Sequence, residues 1–223
     1  MKIRERLRSL CKSKNRLEHI VRSARCLGLK PRILDQDGSL NLVIGNGPYW
    51  ISAHWDIVNP KSENANDNSA ACIACLELVR RNPWLSCVIF DHEEVGGLGA
   101  LSWAQSGPDV EWIINLELAG EGGDHWLVGY CDSEIGEAIE RLSSAPRVKV
   151  PFNDSVVLRR KGLNACLVQP CPVHEDGSPD LSNWSRCHST QDTVSALPVG
   201  DLELFIDSFG TLLQELSAEW HHG

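Results

Sequence analysis

Apolar and polar positions along the chain follow two alternating patterns. Short runs that are apolar at nearly every position predict buried strands at residues 49–53, 86–90, 112–116 and 165–168. Apolar residues at helical spacing predict helices between and after them at residues 69–81, 100–105, 134–142 and 199–219. Weaker strands are predicted near residues 32–34, 41–44 and 126–128. Alternation of apolar strands with helices indicates an α/β fold, a largely parallel mixed β-sheet flanked by helices on both faces, in a single compact domain spanning residues 1–223.

The first 32 residues differ from the rest of the chain in charge. They contain eleven Lys and Arg against Glu5 and Glu18, whereas the whole chain has a net charge of −9. One apolar stripe at helical spacing runs through them, formed by Ile3, Leu7, Leu10, Leu17, Val21 and Ala24. The stripe predicts one helix, up to about residue 29, packed on the core with a solvated basic face. Since no aromatic or glycine motif for bases accompanies the charges, we expect no nucleic acid partner.

Segment lengths and cysteine usage predict the compartment. No apolar run approaches the length of a membrane span, so no membrane partner is expected. The N-terminus lacks the continuous apolar segment of a secretory signal, which favours a cytoplasmic location. Nine cysteines without short regular spacing fit reduced thiols in that compartment. Cys72 and Cys75 lie at helical spacing among apolar residues, and we interpret them as core residues.

Side chains of the types that bind zinc follow several predicted strands. The clusters are His54-Trp55-Asp56, Asn66-Asp67-Asn68, Glu93-Glu94, Asn115-Leu116-Glu117 and, in the loop after the last buried strand, His188. Taken singly, such residues are usually turn, capping or surface residues. Ligands of open α/β sheets, however, bind at the carboxyl ends of the strands, so the clusters are expected to meet. Two histidines and three carboxylates would suffice for two zinc ions that share one carboxylate.

The order of these clusters resembles that of a known enzyme family. Read along the chain, the motifs H-x-D, N-D-N-S-A, E-E-x-G-x-x-G, N-x-E and H-x-x-x-D-T fall between Tyr49 and Thr193. This succession is similar to the co-catalytic di-zinc aminopeptidases of metallopeptidase clan MH, a group that also includes glutamate carboxypeptidase II and the glutaminyl cyclases. The resemblance implies the zinc-aminopeptidase, phosphorylase/hydrolase-like fold. It also implies a zinc-dependent hydrolase that cleaves an amide bond in a small peptide or amino-acid derivative.

The resemblance assigns roles to individual residues. The implied metal ligands are His54 and Glu117 for one zinc, Glu94 and His188 for the other, and Asp67 as the bridge. Glu93 would be the general base, taking a proton from a metal-bound water and passing it to the leaving amine. Asp56 would orient the imidazole of His54. Two zinc ions are expected, and cobalt or manganese would suit the same ligands.

Three features depart from the family pattern. Glu117 stands where the aminopeptidases have Asp, which favours the carboxypeptidases and deacylases of the clan. The segment Asn153-Asp154-Ser155, expected near the substrate pocket, lacks the family's histidine. At 223 residues the chain has no room for an inserted lid domain, so we expect a bare catalytic domain whose pocket is built by loops such as residues 170–187.

Other polar and aromatic residues receive more ordinary interpretations. Strand alternation predicts that His92 points away from Glu93 and packs in or near the core. Asp192 is expected to shape the loop of His188 and not to bind metal. Trp126 and Trp184 are candidates for the pocket lining, with core packing as the alternative.

The sequence leaves several functions open. The first is a di-zinc peptidase, whether an aminopeptidase, or a carboxypeptidase or N-acyl deacylase of the same clan. The second is a glutaminyl cyclase-like acyltransferase with a single zinc, which the number of bound ions would distinguish. The third is a non-catalytic metal-binding module, against which Glu93 argues because such a module needs no general base. The expected substrate is a small peptide or amino-acid amide, and the oligomeric state is left open.

Overall fold

A single mixed β-sheet of eight strands organises the protein, whose computed structural model describes residues 2–222. The strands are β1 (Arg32–Gln36), β2 (Ser39–Ile44), β3 (Tyr49–His54), β4 (Ser86–Phe90), β5 (Trp112–Leu116), β6 (Trp126–Gly129), β7 (Arg147–Val148) and β8 (Ala165–Pro170). The helices are α1 (Ile3–Cys11), α2 (Arg16–Cys26), α3 (Ala71–Arg81), α4 (Leu98–Gln105), α5 (Glu134–Ser143), α6 (Asp154–Arg160) and α7 (Asp201–His222). A π-helical segment at Ala65–Ala70 precedes α3, and a 3₁₀ helix lies at Ser182–Arg186. All strands predicted from the sequence are confirmed.

The order of the strands explains why the sheet is mixed. Across the sheet the order is β1-β2-β4-β3-β5-β8-β6-β7. The central strands β4, β3, β5 and β8 are parallel, whereas β2 pairs antiparallel with β4 on one side and β6 pairs antiparallel with β8 on the other. The prediction of a largely parallel mixed sheet is therefore confirmed. Parallel neighbours end at the same edge, which places the chain segments that follow them side by side.

Both faces of the sheet are buried under helices. The larger apolar cluster contains residues of α1, α2, α3, α5 and α7 together with one face of the strands, including Ile51 and Ile114. The smaller cluster, on the opposite face, joins Trp50 and Ile113 to residues of α4 and α6. Consecutive strand residues thus point to opposite cores, which is why the central strands are apolar at nearly every position. Among the described residues, no helix is long and apolar enough to cross a membrane.

The N-terminal region is a pair of helices, and the prediction of one helix up to residue 29 was wrong. α1 ends at Cys11, and α2 begins at Arg16 after Asn15, whose side chain accepts a hydrogen bond from the backbone N–H of Glu18. An asparagine that caps a helix in this way starts a new helix at its own position. Both helices still bury the predicted apolar stripe, of which Leu7, Leu10, Leu17, Val21 and Ala24 belong to the larger core.

Two short elements were not predicted. β7 has only two residues and pairs with β6 at the edge of the sheet. α6 has seven residues and begins after Asn153, whose side chain accepts a hydrogen bond from the backbone N–H of Ser155. α6 packs Val157 and Leu158 into the smaller core.

Candidate active site

Three neighbouring strands carry acidic and imidazole side chains to one edge of the sheet. His54 is the last residue of β3, Glu93 and Glu94 follow β4, and Glu117 follows β5. The register of the sheet pairs His54 with Phe90, the last residue of β4. The carboxyl ends of these strands therefore coincide, in the position where open α/β sheets bind ligands.

Two further side chains reach this edge from loops. Asp67 lies in the π-helical segment, where its backbone angles of φ −106° and ψ 94° depart from a helix, and the peptide bond to Asn68 is cis. His188 lies in the loop after β8, in the left-handed conformation with φ 61°. The structure therefore brings together all five residues predicted as metal ligands.

The two oxygens of Asp67 face two different groups of side chains. Oδ1 lies 3.4 Å from Nε2 of His54, which is itself 3.5 Å from Oε2 of Glu117. Oδ2 lies 3.2 Å from Nε2 of His188, which is 3.0 Å from Oε2 of Glu94. In each group, one atom from every residue lies within 4.8 Å of the others, which suits a shared cation. Asp67 is the residue common to both groups, and His54, Glu93 and Glu94 form a third group within the same distance.

Amide side chains hold the carboxylate of Glu117 in place. Nδ2 of Asn68 donates to Oε2 of Glu117 at 2.6 Å, and Nδ2 of Asn115 donates to Oε1 at 2.9 Å. Asn115 is fixed in turn by a hydrogen bond from the Ser52 hydroxyl. The sequence placed Asn68 and Asn115 in the polar clusters but gave neither a role. Buried donors on a carboxylate restrict its rotation, so Glu117 is held in one orientation.

Asp56 contacts His54 as predicted, and it also makes contacts that were not predicted. Its Oδ1 lies 3.3 Å from Nδ1 of His54. The same carboxylate accepts hydrogen bonds from the backbone N–H groups of Glu93 and Glu94, at 3.2 and 3.1 Å. One side chain thus fixes both the imidazole of His54 and the turn that carries the glutamate pair.

Asp192 plays the same part on the other side of the site. Its two oxygens accept hydrogen bonds from the backbone N–H groups of Asn66 and Asp67, at 2.7 and 3.0 Å. Asp192 lies four residues after His188, so these bonds tie the His188 loop to the segment of Asp67. It is not a member of either group of ligand atoms. Its predicted part in shaping the loop did not include this contact.

Glu93 lines the site without a close hydrogen-bonding partner. Its Oε2 lies 4.0 Å from Nε2 of His54, and the side chain is buried. Burial raises the pKa of Glu93 to about 8 in the metal-free chain, and the charges of Glu117 and Glu94 act in the same direction. A carboxylate that is close to the cation site but not tied to other donors is free to exchange protons.

Asp67 and His188 form an ion pair in the metal-free chain. A hydrogen bond to Asp67 raises the pKa of His188 to about 9 against the opposing effect of its partial burial. Burial would raise the pKa of Asp67, but hydrogen bonds from His188 and His54 outweigh it and hold that pKa well below its usual range. Burial raises the pKa of Glu94 to about 7, and the charge of Asp67 adds to this effect.

These side chains line one end of a cavity of about 320 Å³. Its other walls are mainly apolar, formed by Leu118, Val150, Pro151, Phe152, Leu167 and Trp184. Four carboxylates face the cavity, and no Lys or Arg is among its lining residues. Oε1 of Glu94 is buried and accepts no hydrogen bond from the described residues. Such crowding of negative charge is unfavourable without a cation, and the imidazole and carboxylate donors fit zinc.

Backbone conformation beside the cavity is unusual at two residues that are not glycine. Leu118, directly after Glu117, has φ 50°, and His188 has φ 61°. The left-handed region costs about 1–3 kcal/mol for such residues and is concentrated at functional sites. Here the left-handed conformation turns the chain directly after Glu117 and at His188.

The remaining candidates are resolved by their positions. His92 is not a core residue, contrary to the prediction: its φ of 55° ends the strand, and its half-exposed ring lies 3.1 Å from the Ser39 hydroxyl. Trp184 lines the cavity, whereas Trp126 packs against Phe205 and Phe209. Cys72 and Cys75 are buried free thiols in α3, as interpreted from their spacing.

Comparisons with solved structures support the fold. A glutaminyl cyclase of Porphyromonas gingivalis is similar over 96% of each chain, with a TM-score of 0.72 and 16% identity. The LapA aminopeptidase of Legionella pneumophila gives a TM-score of 0.72 at 14% identity, over 96% of this chain and 70% of that one. BSAP, a zinc aminopeptidase of Bacillus subtilis, gives 0.65 at 17% identity, over 79% of this chain and 50% of that one. A search of curated protein sequences found no significant match.

The sequence also matches a family profile directly. The profile is that of peptidase family M28, and the match covers residues 43–205, from β2 into α7. This stretch includes all five residues predicted as metal ligands, Asp56, Glu93 and the walls of the cavity. With most of its length matched, the chain belongs to peptidase family M28.

Proposed function

We propose that this protein hydrolyses an amide bond in a small peptide or amino-acid derivative with two zinc ions, and that Glu93 is its general base. Membership of family M28 makes the chain a zinc-dependent metallopeptidase that acts on peptides. The number of ions, the roles of the residues and the size of the substrate belong to the proposal. The observation that carries it is the position of Asp67, whose two oxygens face two separate groups of ligand atoms.

The donor sets divide the ligands between two ions. His54, Glu117 and Oδ1 of Asp67 would hold one ion, and His188, Glu94 and Oδ2 of Asp67 would hold the other. When bound, a zinc pair polarises the scissile carbonyl and lowers the pKa of water towards neutrality. Three protein ligands for each ion leave positions open, which is typical of catalytic and not of structural zinc sites.

The chain itself supplies proton transfer and substrate placement. Glu93 takes a proton from the attacking water and delivers it to the leaving amine, a task that requires a carboxylate near the metal without other strong partners. The apolar walls at Leu118, Val150 and Leu167 would take up a side chain of the substrate and exclude water. Glu117 is less suited to the proton transfer, because Asn68 and Asn115 donate hydrogen bonds to both of its carboxylate oxygens.

Cyclisation of an N-terminal glutamine is the second candidate activity. It is favoured by the P. gingivalis glutaminyl cyclase, whose likeness extends over 96% of both chains. A single-zinc acyltransferase of this kind would leave one group of ligands unused. The full pair of donor sets around Asp67 therefore favours hydrolysis.

A reducing compartment such as the cytoplasm is proposed for the protein. All nine cysteines lie among the described residues and are free thiols, and six of them are buried. Thiols persist in reducing compartments, whereas secreted proteins of similar cysteine content commonly form disulfides.

The activity can be tested with a panel of peptides and mass spectrometry of the products. Zinc-loaded protein would be incubated with free, N-acylated and C-terminally amidated peptides and with a peptide that begins with glutamine. Glu93→Gln, matched for bound zinc, is the control because it preserves size and hydrogen bonding but removes the base. We expect the wild type to release single residues and Glu93→Gln to lose at least a hundredfold in kcat.

Each product identifies a branch of the family. Loss of N-terminal residues indicates an aminopeptidase, and cleavage of acylated or C-terminal positions alone indicates a deacylase or carboxypeptidase. Loss of ammonia from the glutamine peptide, with no other product, indicates a cyclase and contradicts the proposed hydrolysis. No product from any peptide, with two zinc ions bound, also contradicts it.

A further inference from the structure

α2 places a buried cationic side chain next to the segments that carry His54 and Asp67. Arg16, the first residue of α2, is only 7% exposed. Its Nε donates a hydrogen bond to the backbone oxygen of Trp55 at 2.8 Å, and its Nη2 donates to the hydroxyl of Ser69 at 3.0 Å. Both acceptors are neutral. Among residues 2–222, Arg16 has no carboxylate partner, in contrast to Arg6 of α1, which pairs with buried Glu77.

The two acceptors of Arg16 lie beside His54 and Asp67, which belong to the same proposed cation site. Trp55 stands between His54 and Asp56, and Ser69 follows Asp67 by two residues. The Ser69 hydroxyl donates in turn to the backbone oxygen of Asn64, at the start of the π-helical segment. One guanidinium group therefore joins the end of β3 to the segment of Asp67.

We propose that Arg16 is a positioning residue of the metal centre, which sets the separation between His54 and Asp67. The proposal rests on the proposed function, because it takes these two side chains as ligands of one zinc. The planar guanidinium offers donors in fixed directions, so two acceptors bound to it are held at a fixed spacing. Metal affinity depends on such spacing, because misplaced ligands must move before they bind.

The burial of Arg16 supports a purpose other than stability. A buried charge that lacks a partner of opposite sign destabilises the fold, and an apolar side chain of similar volume would commonly be more favourable. Arg16 also lies outside residues 43–205, which match the family. The N-terminal helices therefore supply this contact from outside the stretch that matches the family.

The test compares zinc affinity in variants of α2. Arg16→Gln removes the charge and the fork of donors, and Arg16→Lys keeps the charge but loses the fork. Arg22→Gln is the matched control, since Arg22 lies on the same helix with an exposed side chain paired to Glu18. Zinc affinity would be measured by competition with a chromophoric chelator, zinc content by atomic absorption, and the melting temperature in the metal-free state.

We expect Arg16→Gln to weaken one of two zinc sites roughly ten- to hundredfold, Arg16→Lys to lie between it and the wild type, and Arg22→Gln to have no effect. Wild-type zinc affinity in Arg16→Gln, with only a lower melting temperature, would overturn the proposal and leave Arg16 a structural residue. If Arg16→Gln fails to fold, Ser69→Ala breaks one arm of the contact, and the same two outcomes apply. If the wild type binds no zinc, the proposed metal centre itself is wrong. Zinc binding by the wild type therefore distinguishes a failure of the proposed function from a failure of the proposal for Arg16.

Discussion

Asp67 and His188 are held together by a proton when no metal is present. That proton must leave before the imidazole can bind zinc, and Glu94 must also be ionised. The structure therefore couples metal binding to pH through individual side chains of the site. His188, with a pKa of about 9, and Glu94, with a pKa of about 7, set the range over which the coupling acts.

Zinc affinity is expected to rise with pH between about 6 and 9. The sign follows from the protonated forms: as pH increases, Glu94 loses its proton first, near pH 7, and His188 follows, near pH 9, so that fewer protons compete with zinc. Each displaced proton changes the apparent affinity by up to about tenfold per pH unit below the pKa of its group. Chelator competition at several pH values, corrected for the chelator's own protonation, measures this, and an affinity that is constant from pH 6 to 9 would contradict it.

Asp154 is a second residue whose ionisation state is set by its surroundings. Its side chain is fully buried at the start of α6, and neither oxygen has a hydrogen-bonding partner among the described residues. Burial raises the pKa of Asp154 well above its usual range, and the nearby charge of Glu93 acts in the same direction. The folded protein therefore keeps this carboxyl group neutral.

Asp154→Asn should gain stability relative to the wild type as pH rises. Because the folded pKa is raised, the wild type is stabilised below the unfolded pKa of about 3.9 and loses that contribution as pH increases towards the folded pKa. Between pH 5 and 8 the difference should grow by up to about 1.4 kcal/mol per pH unit. Urea unfolding in a chelator at both pH values measures it, with the exposed Asp109→Asn as control. A difference independent of pH would show that Asp154 is ionised in the folded state.

At the scale of elements, the N-terminal helices depend on a single capping residue. Asn15 separates α1 from α2 and accepts a hydrogen bond from the Glu18 N–H at 3.1 Å. Arg16 follows at once, so the start of α2 also fixes the guanidinium that reaches Trp55. The cap thus links helix stability to the edge of the sheet.

Asn15→Ala should destabilise the protein by about 1 kcal/mol, the usual effect of removing a side-chain cap. For a protein of this size the melting temperature would fall by roughly 2–4 °C. Lys14→Ala is a suitable control because Lys14 is exposed and precedes the cap. Equal melting temperatures for Asn15→Ala and Lys14→Ala would exclude a capping contribution.

The elements that could be predicted are those whose signal is local. β4 and β5 were predicted to the residue because each is a short apolar run with polar flanks. The break between α1 and α2 also had a local signal, Asn15 followed by Glu18, but the continuous apolar stripe concealed it. α6 and β7 are too short to show a period of their own.

The residues of the candidate site also divide into those that the sequence could predict and those whose contacts it could not. His54, Asp67, Glu93, Glu94, Glu117 and His188 could be proposed because they occur in an ordered series of motifs. The contact of Asp192 with the backbone of Asn66 joins residues 126 positions apart, and no local sequence pattern at either residue predicts it. The prediction for His92 was wrong because strand alternation was applied beyond Phe90, where β4 ends. His92 has a left-handed backbone conformation and does not follow the alternation.

At the scale of the whole molecule, the proposed cation sites join parts of the chain that are far apart in sequence. The residues proposed as ligands come from the ends of β3, β4 and β5 and from two loops, between residues 54 and 188. Without metal, their carboxylates repel one another inside the edge of the fold. Bound zinc should therefore stabilise the entire domain and not only the loops.

Removal of zinc is expected to lower the melting temperature. Free zinc at a hundredfold excess over its dissociation constant stabilises a single site by about 2.7 kcal/mol, or roughly 5–10 °C for a chain of this length. Differential scanning fluorimetry with zinc and with a chelator measures the shift. Glu93→Gln, which retains all five proposed ligands, should show the same shift in melting temperature. Asp67→Ala, which removes the ligand common to both sites, should show only a small shift. An identical melting temperature with and without zinc in the wild type would contradict a bound ion.

The two histidines differ in depth, with side-chain exposures of 1% for His54 and 48% for His188. In the proposed two-ion centre, an ion beside His188 would therefore exchange with the surrounding solution more readily than an ion beside His54. Loss of metal would begin at the position of His188. A protein that retained only the ion beside His54 would stay folded without turnover until a second ion returned.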